Sequence, residues 1–113
     1  MPIRATKRSN TNYQSGAMQE MLQHATEAAE FLKALANDQR LAILCTLIDG
    51  QKSVGQINER VQLSQSALSQ HLAILREREL VVTDKQAQTV YYALPAGKTR
   101  RILDVLHDCF CAS

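Results

Sequence analysis

The chain has 113 residues, 45% hydrophobic and 21% charged, with no Trp and a formal net charge of +2. That is one domain's worth, with a core thin enough for a second subunit to share in its stability, and the composition excludes a disordered or fibrous chain. No run approaches the roughly eighteen apolar residues of a membrane span, and the polar start lacks the apolar core of a secretory signal, so a cytoplasmic globular protein is expected.

Residues 1–16 mix Ser, Asn, Thr, Gln and the cations Arg4, Lys7 and Arg8 without periodicity, and they read as a flexible tail. The remaining ten basic residues face eleven acidic ones, so the folded part, residues 17–113, is nearly neutral. That is weak support for nucleic-acid binding, although a dimer doubles any local patch. From Met18, apolar residues recur at Met21, Leu22, Ala25, Ala28, Ala29, Leu32, Leu35 and Ala36, one face of a long helix suited to close packing on a partner helix. Asn37 is the expected N-cap of a second, central helix over 38–48, with Leu41, Leu44, Cys45 and Ile48 as one stripe and Ile43 and Leu47 as another; Gly50 ends it.

Ser53 opens a short third helix, with Gln56 completing a capping-box pattern and Val54, Ile57 and Val61 turned inward. After a Gln62-Leu63 turn, Ser64 caps a fourth helix that buries Leu68, Leu72 and Leu75 and exposes Gln65, Ser66, Ser69, Gln70, Ala73 and Arg76. Leu80 to Thr83 and Thr89 to Leu94 read as a hairpin with the polar tip Asp84-Lys85-Gln86-Ala87-Gln88. Pro95 and Gly97 punctuate the exit, and Ile102, Leu103, Leu106 and Phe110 mark a last amphipathic helix.

Two short helices with a tight connection, the second followed by a two-stranded hairpin, is the order of a winged helix-turn-helix. A polar helix face is ordinarily just solvated, but the capped helix before this one and the hairpin after it favour DNA reading. A major-groove helix must bury one face and expose short hydrogen-bonding side chains near its start. Gln65, Ser66, Ser69 and Gln70 occupy that position; either glutamine can bond adenine, and the serines suit bases or phosphates. Arg76 and Arg78 are better placed for phosphates, and Lys85 for backbone or minor groove. His71, beside the leucine seam, reads as a packed or capping histidine rather than a base reader or metal ligand.

Asn37-Asp38-Gln39-Arg40-Leu41-Ala42-Ile43-Leu44, Ser64 to Leu72 and Val90-Tyr91-Tyr92 resemble the hallmark segments of ArsR/SmtB-type winged-helix repressors over about residues 18–111. The resemblance implies a mainly α homodimer of four helices, a β-hairpin wing and a fifth helix, with the first and last helices at the interface. It also implies that the fourth helix reads an inverted repeat in double-stranded operator DNA, and that an inducer releases the protein.

Neither usual metal site of that family is present. The helix before the recognition helix reads Ser53-Val54-Gly55-Gln56-Ile57-Asn58-Glu59 with no soft ligand, and Asp104-Val105-Leu106-His107 has the wrong spacing for an Asp-x-His pair. No cofactor is called for. There is no Cys-x-x-Cys, no nucleophile with base and orienter, and no phosphate loop, which disfavours an enzyme.

Three cysteines, Cys45, Cys109 and Cys111, are too few for a disulfide scaffold and are expected as thiols in a reducing compartment. By itself Cys45 reads as an inert small hydrophobe on an apolar helix. Cys45 after Ile43-Leu44, and Cys111 after Phe110, resemble the sensing pair of the sulfide-responsive branch that includes BigR, SqrR and HlyU. In that branch the pair is bridged by reactive sulfur species, as a disulfide or polysulfide, with loss of DNA affinity. Cys109 departs from the pattern as an extra thiol; it and His107, one turn before Cys111, are accessory candidates. A zinc-type repressor using Cys109, Cys111 and His107, with or without Cys45, a peroxide sensor, and a protein-interaction module stay open as alternatives.

Overall fold

The computed structural model describes residues 14–111, so all but the end of the expected tail lies outside the described residues. A π-helical turn, Gln14–Met18, leads into α1, Gln19–Leu35. The described residues fall into two units, one ending at Leu32 and a body from Lys33 onward. In the first, the anticipated apolar face is present with Met18, Met21, Leu22 and Leu32 exposed. The last turn of α1 belongs to the body, where Ala34 and Leu35 are buried.

The body begins with α2, Asp38–Thr46. Asn37 caps it: its side-chain oxygen accepts the Arg40 backbone N–H at 3.0 Å, which satisfies one of the donors that a helix start leaves unpaired. The helix stops two residues before the expected Ile48 because the N–H groups of Leu47 and Ile48 turn back three residues, onto Leu44 and Cys45. Gly50 then takes φ 141, which glycine alone adopts without strain. Ile43, Leu44 and Leu47 are buried, and Thr46 among them donates its hydroxyl to the Ile43 carbonyl at 2.7 Å.

The expected stripe on α2 needs correction. Cys45 is exposed and Leu41 only half-buried, while Ile43 and Leu44 form the true inner face. Leu41 to Cys45 are five consecutive apolar residues, more than one full turn, so the choice of buried stripe falls to the neighbouring elements.

A short strand that the sequence reading lacks, β1 at Lys52–Ser53, precedes α3, Val54–Val61. The capping box is complete: Ser53 Oγ accepts the Gln56 N–H at 3.2 Å, and Gln56 Oε1 accepts the Ser53 N–H at 2.9 Å. Of the three residues expected inward, Ile57 is fully buried and Val54 and Val61 are half-buried. Then comes α4, Gln65–Glu77, capped by Ser64 Oγ, which accepts the Ala67 N–H at 3.2 Å. Leu68, Leu72 and Leu75 are buried as anticipated.

The wing consists of β2, Val82–Gln86, and β3, Thr89–Ala93, antiparallel from Val82↔Ala93 to Gln86↔Thr89. β1 pairs with the other edge of β3, giving the order β1-β3-β2. The expected polar tip is therefore too long. Asp84, Lys85 and Gln86 continue the strand, and only Ala87 and Gln88 turn the chain. Lys85 lies opposite Val90, not at the tip.

The last helix, α5, runs from Lys98 to Phe110 after Gly97, at φ 107. Thr99 and Leu103, four residues apart, are its buried anchors, and Arg100 Nη1 donates to the Ile48 carbonyl beyond α2 at 3.3 Å. Phe110, expected inward, is 81% exposed.

Candidate nucleic-acid interface and thiol cleft

The turn between α3 and α4 is built by one side chain that sequence reasoning did not single out. Asn58 Nδ2 donates to the Leu63 carbonyl at 3.0 Å, and its Oδ1 accepts the Leu63 N–H at 2.8 Å. A primary amide offers both a donor and an acceptor, so it can replace a backbone pairing partner. With Gln62 at φ 56, only three residues separate α3 from α4, and the Asn58 side chain ties the middle one of them to α3. The available signal was an Asn near the end of a short helix, just before a turn.

The face that α4 presents matches expectation residue by residue. Gln65, Ser66, Ser69, Gln70, Ala73 and Arg76 are all exposed. Ser69, Ala73 and Arg76 share a groove of about 320 Å³ with Leu72, Val54 of α3 and Tyr92 of the wing, so helix and wing meet beside the polar face. Tyr92 is an addition to the expected set; it lies in the middle strand, paired with Lys52 and Thr83. Lys85, on β2, and Arg78, the C-cap of α4, are exposed outside the groove's lining.

The second feature is an apolar cleft of about 260 Å³ between α2 and α5. From α5 it takes Leu103, Leu106, His107 and Phe110, and from the C-cap that follows, Cys111, in the i, i+3, i+4, i+7, i+8 pattern of one helical stripe; from α2 it takes Leu41 and Cys45, one turn apart. Cys45 and Cys111 are 66 residues apart in sequence yet line one cavity. Burial pushes the Cys45 thiol above the usual cysteine range, and Cys111 raises it further, since two thiolates resist sharing a site. Cys109, on the last turn of α5, is exposed and does not line the cleft. His107 does line it, and its carbonyl accepts the Cys111 N–H at 2.8 Å, which closes the helix at the second thiol. Among the described residues, no three His, Cys, Asp or Glu side chains converge as a metal site.

Residues 37–83, which span α2, α3, α4 and the start of the wing, match the bacterial regulatory proteins of the arsR family. Over 94 residues the chain is 49% identical to the transcriptional activator HlyU of Vibrio cholerae, covering 83% of this chain and 87% of that protein. The chain belongs to the arsR family. It is also 40% identical to the biofilm growth-associated repressor of Agrobacterium fabrum, across 81% of this chain and 79% of the relative.

Among solved structures, reduced HlyU from Vibrio cholerae superimposes with a TM-score of 0.77, covering 82% of this chain and 98% of that one. The transcriptional repressor BigR from Xylella fastidiosa, at 34% identity, gives the same TM-score over 85% of this chain and 98% of its own. The protein is thus a winged-helix transcriptional regulator of a DNA-binding family. Its arsR-family relatives include both an activator and repressors by name.

Proposed function

We propose that the protein is a dithiol-based transcriptional repressor of the cytoplasm, a homodimer that binds an inverted-repeat operator when reduced and leaves it when Cys45 and Cys111 are bridged by reactive sulfur. The observation that carries this reading is the shared cleft: the two thiols line one apolar cavity whose walls are the central helix and the last helix. A bridge there ties α5 to α2.

The chemistry balances with a persulfide donor of the class R–S–SH. The Cys111 thiolate attacks the outer sulfur, forming Cys111–S–SH and expelling R–S⁻, which takes up a proton. Cys45, whose thiol is pushed up, acts second. Its thiolate attacks the Cys111 Sγ, forming the disulfide and releasing hydrosulfide. If Cys45 has itself accepted a sulfur, the same attack yields a trisulfide and hydrosulfide. A direct disulfide requires Cα atoms about 4.4 to 6.8 Å apart, and each added sulfur relaxes that limit.

The output follows from symmetry. Two recognition helices must match half-sites about 34 Å apart, so a small change in their separation costs affinity, and a coupling of about 1 to 3 kcal/mol weakens binding roughly 5- to 150-fold. Gln65, Ser66, Ser69 and Gln70 would read base edges, with Arg76 and Lys85 on the backbone.

Replacing either Cys45 or Cys111 by Ser should leave operator binding intact and abolish release by a persulfide donor. Intact mass, read beside binding at fixed salt, counts the sulfurs in the bridge. Release of either variant at the wild-type donor concentration refutes the reading, and a bridge formed equally well by peroxide makes the protein a general oxidant sensor.

A further inference from the structure

The polar tie between α2 and α4 has a definite construction. His71, on the flank of α4 between its buried leucines and its exposed face, reaches two consecutive residues of α2. Its Nε2 lies 2.8 Å from Gln39 Oε1, and its Nδ1 lies 3.4 Å from Arg40 Nη1. These two partners require one tautomer: Nε2–H donates to the amide oxygen, and the Nδ1 lone pair accepts from the guanidinium. Arg40 is fixed in turn, since its Nε donates to the Ala34 carbonyl at 2.6 Å and its Nη2 to the Lys33 carbonyl at 3.4 Å. Its backbone N–H is held by Asn37.

Both helices also bury apolar side chains, Ile43 and Leu44 on α2 and Leu68, Leu72 and Leu75 on α4, and apolar burial is non-directional: it holds the helices in the core without by itself singling out one rotation. Hydrogen bonds to an imidazole have preferred directions, so they set the rotation of α4 about its own axis. That rotation decides where Gln65, Ser66, Ser69 and Gln70 point.

We infer that His71 is a positioning residue for DNA reading: through Gln39 and Arg40 it fixes the orientation of the recognition helix, and it carries the state of the thiol cleft to that helix. Cys45 lies on the same nine-residue helix as Gln39 and Arg40, six and five residues along, about 8 to 9 Å of rise. A rigid helix of that length moves as one body, so a bridge that pulls on Cys45 displaces the two residues that hold His71. The input half of this inference rests on the proposed thiol reading. The output half does not, and it can be tested alone.

The probe is a duplex selected from random-sequence DNA by the reduced wild-type protein. In the reduced state, His71→Ala and Gln39→Leu should each bind it about 5-fold or more weakly, close to the level of bridged wild type, with little further loss on bridging. Gln39→Glu keeps an acceptor for Nε2–H and should restore both the reduced affinity and the response. Unfolding midpoints of Gln39→Leu and Gln39→Glu near that of wild type separate positioning from folding, because Gln39 is exposed. Reduced affinities of His71→Ala and Gln39→Leu within twofold of wild type, or failure of Gln39→Glu to rescue, overturn the inference. Wild type that stays on the duplex when bridged defeats the thiol reading instead, and leaves the reduced-state comparison standing.

Discussion

Cys45 combines two properties that pull against each other. Its side chain is open enough for a reagent to reach, yet the cleft walls strip water from the thiol, and the second cysteine opposes a negative charge there. Desolvation is the larger effect and Cys111 the smaller. Reaction with iodoacetamide, followed by peptide mass mapping, should therefore be slow for Cys45 at neutral pH and rise with an inflection above the usual cysteine range of about 8.5. In Cys111→Ser the inflection should move down only part of the way, because burial persists. A Cys45 that alkylates at neutral pH as fast as a small free thiol contradicts the desolvated cleft. Linkage has the same sign: the native thiol keeps its proton longer than the unfolded one, so stability falls as pH rises from the unfolded value through the raised one. Little of this was legible from the residues alone. Ile43-Leu44-Cys45 reads as core because periodicity records that a residue is apolar, not which neighbour covers it. Asn58 was missed for a related reason, since its role depends on where Leu63 arrives.

At the scale of elements, helices were legible where a side chain closes its own start. Asn37, Ser53 and Ser64 each accept a backbone N–H three residues on, and these local bonds are written directly in the sequence. The wing was less legible at its tip. A two-residue hairpin turn is normally announced by Asn-Gly or Asp-Gly, whereas here it is Ala87-Gln88, with Ala87 held at φ 57. A polar run without glycine looked like a loop, although Asp84 to Gln86 pair with Tyr91 to Thr89. β1 could not be foreseen, since two residues carry no period. An alanine in the left-handed region costs roughly 1 kcal/mol that glycine avoids, part of which returns as unfolded-chain entropy. Ala87→Gly should thus stabilise the fold by up to about 1 kcal/mol, measured by chemical denaturation. A loss of stability would mean that the Ala87 side chain makes packing contacts worth more than the strain.

At the scale of the whole molecule, the surface poses the question that a single chain leaves open. Met18, Met21, Leu22 and Leu32 are exposed on α1 or the turn before it, and Val105 and Phe110 on α5. Isolated exposed apolar residues are ordinary, but a run at helical spacing on α1, on a chain of 113 residues, is what a partner surface requires. The first and last helices are also those that the family resemblance puts at a dimer interface, and the proposed inverted-repeat operator needs two reading helices. Burying a leucine of this kind contributes about 1.5 to 3 kcal/mol, and in a two-fold interface each substitution acts twice. Leu22→Glu and Leu32→Glu should therefore convert the proposed dimer into monomers, read by sedimentation as a halving of the particle mass. Far-ultraviolet circular dichroism should still show the helices of the body, because its buried core lies from Ala34 onward and contains neither leucine. Operator affinity should fall steeply in the same variants, as one half-site contact replaces two. A wild-type chain that sediments as a monomer at micromolar concentration, and still binds a palindromic duplex one chain at a time, would remove the symmetry argument and with it the route from thiol bridge to release.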